Sequence, residues 1–269
     1  MTTADSAATN EVRPAELTLG EHLAELRTRL LRVVIAVAAG AVVGWFVYEP
    51  VLAFVKQPYC NLPSAYRDAQ GDCSLVFLRV LEPFGVRAKI ALIVGLFLTA
   101  PVLFHQVWRF VVPGLTERER RYTLPFVVLS QLMFTLGAAF AYVVIPRGLG
   151  FLIGLGGEQV TTLLSVAEYV SFILTTAVAF GLVFEVPLVL VFLAAVGIVS
   201  STQLRRFRPY ALVLNAVVAA LVTPTADAVT MLFMVAPMAA LYEGSILAAW
   251  LIERSRRRRA TAVAEGTTR

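Results

Sequence analysis

The chain has 269 residues, 58% of them hydrophobic and 15% charged, with a mean hydropathy of +0.77. A soluble domain carries roughly 25% charged residues, so this composition excludes one and describes an integral membrane protein. The net charge of +5 does not indicate nucleic acid, because the arginines lie beside apolar segments and lack interleaved aromatics.

Taken in order, residues 1–16 are small and polar, a flexible tail without the charged-then-apolar pattern of a signal peptide. Thr18 followed by Glu21 has the form of a capping box and predicts a helix start. Leu19, Leu23, Leu26 and Leu30 then recur at helical spacing while Glu21, Glu25 and Arg29 line another face, and the chain turns wholly apolar after Arg32. Residues 17–50 therefore read as an interfacial helix feeding a first span.

Apolar runs at 31–48, 90–107, 124–145, 170–199, 211–222 and 228–252 make six candidate spans. The expected division is an external loop at 51–83, span two at 84–110, a cytoplasmic loop at 111–123 and span three at 124–146. An external loop follows at 147–167, then span four at 168–199, a cytoplasmic loop at 200–208, span five at 209–223, a turn at 224–228, span six at 229–252 and a basic tail at 253–269. All of it, 1–269, is one membrane domain. Crossing a core of roughly 30 Å takes about 20 helical residues, so the fifth run is too short to cross comfortably.

Orientation follows from arginine. Arg13, Arg27, Arg29 and Arg32 precede span one, Arg109, Arg118, Arg120 and Arg121 follow span two, Arg205, Arg206 and Arg208 follow span four, and Arg254 and Arg256–Arg259 follow span six. The positive-inside rule then places both termini in the cytoplasm, with the RRRR run as a topology anchor drawn to anionic lipid. The stretch Phe104–Tyr122, FHQVWRFVVPGLTERERRY, falls on the same side. Trp108 and Phe110 suit a membrane boundary, Pro113 and Gly114 break the incoming helix, and Glu117 through Arg121 must lie in water or headgroups.

The long first external loop holds the two cysteines, Cys60 and Cys73. On an oxidising side such a pair favours a disulfide over a metal site, free thiols being the alternative. Glu185 lies mid-span in FGLVFEVPLVL, where an ionised carboxylate costs on the order of 2.5–3.5 kcal/mol. It either braces a neighbouring helix as a protonated carboxyl or docks a polar side chain of another membrane protein. Asp227, in the TPTAD turn, reads first as a helix cap. Prolines 101, 125, 146, 187, 209 and 237 in or beside the spans suggest bent helices and a concave bundle.

Spacing separates the acids of the charged stretch. If residues 116–122 are helical, Glu117 has Arg120 and Arg121 at favourable spacings, whereas Glu119 is followed there by Tyr122 and Thr123. Glu25 can pair with Arg29, but Glu21 adds negative charge one turn earlier. Both acids also read as solvated interfacial charges worth at most about 1 kcal/mol each.

Seven motifs now line up: HLAELRTRL at 22–30, the loop proline Pro58, APVLFHQVWRF with PGL and ERR at 100–121, FGLVFEVP at 180–187, RPY at 208–210, TPTAD at 223–227 and LYE at 241–243. In this order they resemble the TatC family, the multi-spanning core of the twin-arginine protein translocase. Two departures are Thr225, where the family's turn usually has a second proline, and the cysteine pair. The resemblance implies six bent helices shaped like a cupped hand, with short fifth and sixth spans, in the cell membrane of a prokaryote.

It further implies recognition of twin-arginine signal peptides on folded precursors, recruitment of single-span TatA- and TatB-type partners into a multi-copy complex, and export driven by the proton-motive force. By matching motif, Glu25 and Glu119 look like the recognition acids, supported by Arg27 and Arg29. Phe110 and Pro58 look like further functional positions, Glu185 like the partner-docking acid, and Asp227 like an external-face functional residue. No nucleotide, metal or other cofactor is implied. A proton-coupled transporter would also carry an acid in a broken helix, but the two halves show no repeat, and an enzyme lacks support because neither HExxH nor GxSxG occurs.

Overall fold

The computed structural model describes residues 19–62, 73–111, 123–154, 164–222 and 228–267. Within them the regular elements are seven helices: α1 (Leu19–Phe46), α2 (Tyr48–Cys60), α3 (Glu82–Val111), α4 (Thr123–Gly154), α5 (Val166–Val196), α6 (Ser201–Val222) and α7 (Ala228–Thr267). Hydrocarbon offers the backbone no hydrogen-bond partner, so apolar runs of this length must satisfy their peptide groups within the helix. Five segments are long and apolar enough to cross a membrane: Leu23–Phe46, Glu82–Phe110, Leu124–Phe151, Val166–Val196 and Met234–Arg258.

Several boundaries differ from the sequence expectation. The loop expected at 200–208 is helical from Ser201: Ser200 and Gln203 form a reciprocal capping box, with Ser200 N donating to Gln203 Oε1 at 2.8 Å and Gln203 N to Ser200 Oγ at 3.2 Å, and the Glu253 carboxylate of α7 accepts from Ser201 N at 2.6 Å and from its hydroxyl at 2.7 Å. The tail from 253 continues α7, a helix of 40 residues, so the sixth span does not sit in a short helix. Its Arg- and Ala-rich sequence has high helix propensity and no breaker before Gly266. The 51–83 loop contains most of α2, and α4 runs past Pro146 to Gly154. Glu21 and Thr18, the expected capping box, and Asp227 lie outside what is described of side chains.

Helix contacts are set by small residues. α1 packs along α3 at Gly44, where an added Cβ would lie 2.5 Å from Ala91 O, and at Gly95, where it would lie 2.5 Å from Ala41 N. Backbones can approach this closely only where no side chain intervenes. α4 packs along α5, and α7 lies against both α5 and α6. The RPY and LYE motifs meet at this last contact: Arg208 pairs with Glu243 at 2.5 Å, and Tyr242 Oη donates to Leu204 O at 2.8 Å. One arginine of the RRRR run also has a structural partner, since Arg256 donates to Ala195 O beside Gly197, which ends α5 in the left-handed conformation at φ 90°.

Pro58 explains how α2 is held. A proline in a helix gives no N–H to the carbonyl four residues back and pushes that carbonyl away. Here Phe54 O accepts instead from Tyr142 Oη of α4 at 3.0 Å, and the two rings stack with centroids 4.5 Å apart. One position on, Tyr169 Oη of α5 enters the opened ladder, donating to Val55 O at 2.9 Å and accepting from Tyr59 N at 3.2 Å. Pro58, Tyr59 and Tyr169 are all fully buried. Just beyond, Cys60 is joined to Cys73 by a disulfide.

Tyr169→Phe should therefore remove the hydroxyl's bonds to Val55 O and Tyr59 N and lower stability by roughly 1–3 kcal/mol. Thermal unfolding in detergent reads this out. An unchanged melting temperature would show that Tyr59 N–H closes back onto Val55 O unaided.

Candidate functional site

Two groups of candidate residues can be followed in the fold. The first sits where α1 begins and α3 ends. Arg29 is only 9% exposed; it pairs with Glu25 one turn earlier and donates through Nη1 to Gln106 O of α3 at 3.3 Å. It is thus a bracket between helices, and it holds the Glu25 carboxylate against the α1–α3 seam. Phe110, half-buried, follows Gln106 by four residues and so shares its face of α3. Arg27 is exposed and, two positions from Glu25, points to a different side of α1. The structure brings together Glu25, Arg29 and the Gln106–Phe110 face. Glu119 falls in 112–122, outside the described residues.

The second group surrounds Glu185 on α5. Its carboxyl lies near the Ser130 hydroxyl and the Phe134 backbone of α4, and its Oε1 is buried with no hydrogen-bond partner among the described residues. Ser130, completely buried, also accepts from Trp108 Nε1 of α3 at 3.0 Å. Trp108 therefore does not serve as a boundary residue: it is 6% exposed and turned inward, its ring packed on Phe126 at 4.8 Å and Phe192 at 4.6 Å. The outcome is a chain of polar neighbours across three helices, Trp108, Ser130 and Glu185, in which Trp108 and Ser130 are hydrogen-bonded and Glu185 Oε1 is left for a further donor. Sequence reasoning missed this chain because its members are far apart, although a lone serine in the run LPFVVLSQLMF was a usable signal.

A third cluster, also missed, lies at the opposite end. Glu82 accepts from Leu78 N at 2.6 Å, Arg79 N at 3.0 Å, Ala167 N at 3.0 Å and the Ser165 hydroxyl. Beside it Val76 and Ser165 form a parallel β-bridge, with Val166 N donating to Val76 O at 3.0 Å. One carboxylate thus ties the starts of α3 and α5 together. The signal was an acid followed by Pro83 at a helix start, where acids and proline are both favoured.

Apolar helices of spanning length, with ionisable groups that brace neighbouring helices, define a polytopic membrane protein. Comparison with known proteins gives its family. The family model described as Sec-independent protein translocase protein (TatC) matches residues 21–237. The TatC protein of Frankia casuarinae is 40% identical over 257 residues, covering 93% of this chain and 70% of that protein. That of Koribacter versatilis is 40% identical over 250 residues, covering 91% of each. A crystal structure described as the twin-arginine translocase receptor TatC superposes with a TM-score of 0.73 at 38% identity, covering 87% of this chain and all of that one. The chain belongs to the TatC family and is a non-enzymatic subunit of the twin-arginine protein translocase.

Ser130→Ala removes the acceptor of a buried indole N–H and should cost about 1–2 kcal/mol in detergent melts. Trp108→Phe in the same background should add little beyond the lost ring-edge packing, because the shared bond is already gone. Fully additive losses would mean that the two residues act independently.

Proposed function

We propose that this subunit binds twin-arginine signal peptides of folded precursors at the α1–α3 seam and recruits single-span TatA- and TatB-type partners for export driven by the proton-motive force. The observation that carries this reading is the Arg29 bracket, which holds the Glu25 carboxylate beside Gln106, near the end of α3. Two acids from separate segments can each take one guanidinium of an Arg-Arg pair, and forked bidentate contacts favour Arg over Lys. Arg29 acts as the positioning residue, Arg27 adds charge to the surrounding surface, and Phe110 supplies an apolar contact on the face below. No cofactor takes part.

In the same reading the chain crosses the cell membrane of a prokaryote six times in a cupped bundle with both termini cytoplasmic, and several copies assemble. α6 makes the shortest crossing, since its first two turns carry Arg205, Arg206 and Arg208. Glu185 offers its open oxygen to a polar side chain of a partner helix. Pro58 acts by docking α2, and Asp227 works at the external face.

Glu25→Ala combined with Glu119→Ala should abolish crosslinking of a twin-arginine signal peptide to Phe104–Tyr122 while the protein stays folded and inserted. Undiminished crosslinking refutes the assignment. Glu185→Ala should leave that crosslink intact and lower co-purification of a single-span partner severalfold. If it instead lowers yield and melting temperature while the surviving protein keeps its partner, the carboxyl is only a brace.

A further inference from the structure

Between the starts of α3 and α5 lies an open cleft of about 490 Å³, within the range of small-molecule sites. Its polar lining is mixed. Glu82 and Ser165 are already bonded to each other and to backbone N–H groups, which leaves Arg79, Lys89 and Glu168 as the charges able to meet a ligand. Lys89 contacts the Ser171 hydroxyl, and among the described residues no carboxylate lies within ion-pair distance of Lys89 or Arg79.

Depth narrows the choice of ligand. Lys89 immediately precedes the apolar run that starts at Ile90, and Glu168 lies two residues before the one that starts at Val170. Lys89 is seven residues past Glu82, about 10 Å further along α3. A cation and an anion thus flank the cleft where the chain becomes apolar, which is the level of lipid headgroups. Val86 and Val170 wall it, and Leu78, Val80, Leu81 and Phe84, between 64% and 97% exposed, form an apolar lip beside it.

We propose that this cleft binds a zwitterionic phospholipid through its headgroup, with the phosphate on Lys89 and Arg79, the primary ammonium of phosphatidylethanolamine on Glu168, and the acyl chains along the apolar runs of α3 and α5 that begin at Ile90 and Val170. The ammonium donates hydrogen bonds to a carboxylate, which a trimethylammonium cannot do and a glycerol headgroup cannot match in charge. A free phosphate would use the cations but neither Glu168 nor the apolar runs.

The experiment is native mass spectrometry of the delipidated full chain with phosphatidylethanolamine, phosphatidylcholine or phosphatidylglycerol added. Wild type should retain phosphatidylethanolamine about tenfold more strongly than the other two. Lys89→Gln should lose about tenfold, Lys89→Arg should keep it, and Glu168→Gln should level the three lipids. Glu168 is exposed, so its variant keeps the fold and carries the test even if Lys89→Gln fails to insert. Equal retention of all three lipids by wild type overturns the proposal, as does competition by equimolar inorganic phosphate. So does a photocrosslinker at position 81 that captures a protein in native membranes.

Discussion

Inside hydrocarbon a polar group has no water to turn to, so each one not bonded within its own helix must find a partner on another helix. That constraint organises this bundle. Pro58 opens a helical ladder, and tyrosine hydroxyls from α4 and α5 fill the gap, one of them completely buried. Ser130 ties the indole of α3 to α4, and Glu253 bonds the start of α6. Apolar packing alone would leave helices free to rotate and slide in lipid. Each of these bonds fixes a register, and registers place the functional acids.

The same bonds divide the acids by role. Glu82 and Glu253 have both oxygens engaged and act as staples between segments distant in sequence. Glu185 lies near the Ser130 hydroxyl with a buried oxygen that has no partner among the described residues, so it keeps the capacity to accept a donor. Glu25 is held by an arginine that is itself anchored to α3. Ion pairs between mobile surface groups contribute little, but an arginine nine-tenths buried and bonded to a second helix limits where its carboxylate can go. A receptor for a charged motif needs that fixity, because the geometry of forked contacts is what separates Arg from Lys.

The two ends of the bundle are also unequal. Where α3 and α5 begin, Glu82, the Val76–Ser165 bridge, the docked α2 and the Cys60–Cys73 disulfide knit loops and helices together. Where α6 meets α7, the Arg208–Glu243 pair and the Tyr242 bond latch the short helix to the long one, and α6 has few contacts elsewhere. The motifs RPY and LYE, separate in sequence, are two halves of that latch.

Composition and periodicity alone determined that this is a helical membrane protein, roughly where its apolar runs lie, and that Glu185 needs a partner, because solvation in lipid depends on each segment by itself. The ordered motifs added the family. Helix ends were less legible: residues 200–208 read as loop, yet α6 begins at Ser201 behind a Ser200–Gln203 capping box that the sequence carried unnoticed, and a carboxylate 52 residues away bonds the same turn. Trp108 read as a boundary aromatic and is buried, because a serine on the next helix takes its N–H. Glu82 drew no attention, and Pro58 was known only as a motif position, until tertiary contacts gave the first its four donors and the second its tyrosines. Burial in hydrocarbon is a property of a segment, and the sequence carries it; a hydrogen bond between helices depends on their register and rotation, which only the packed bundle decides.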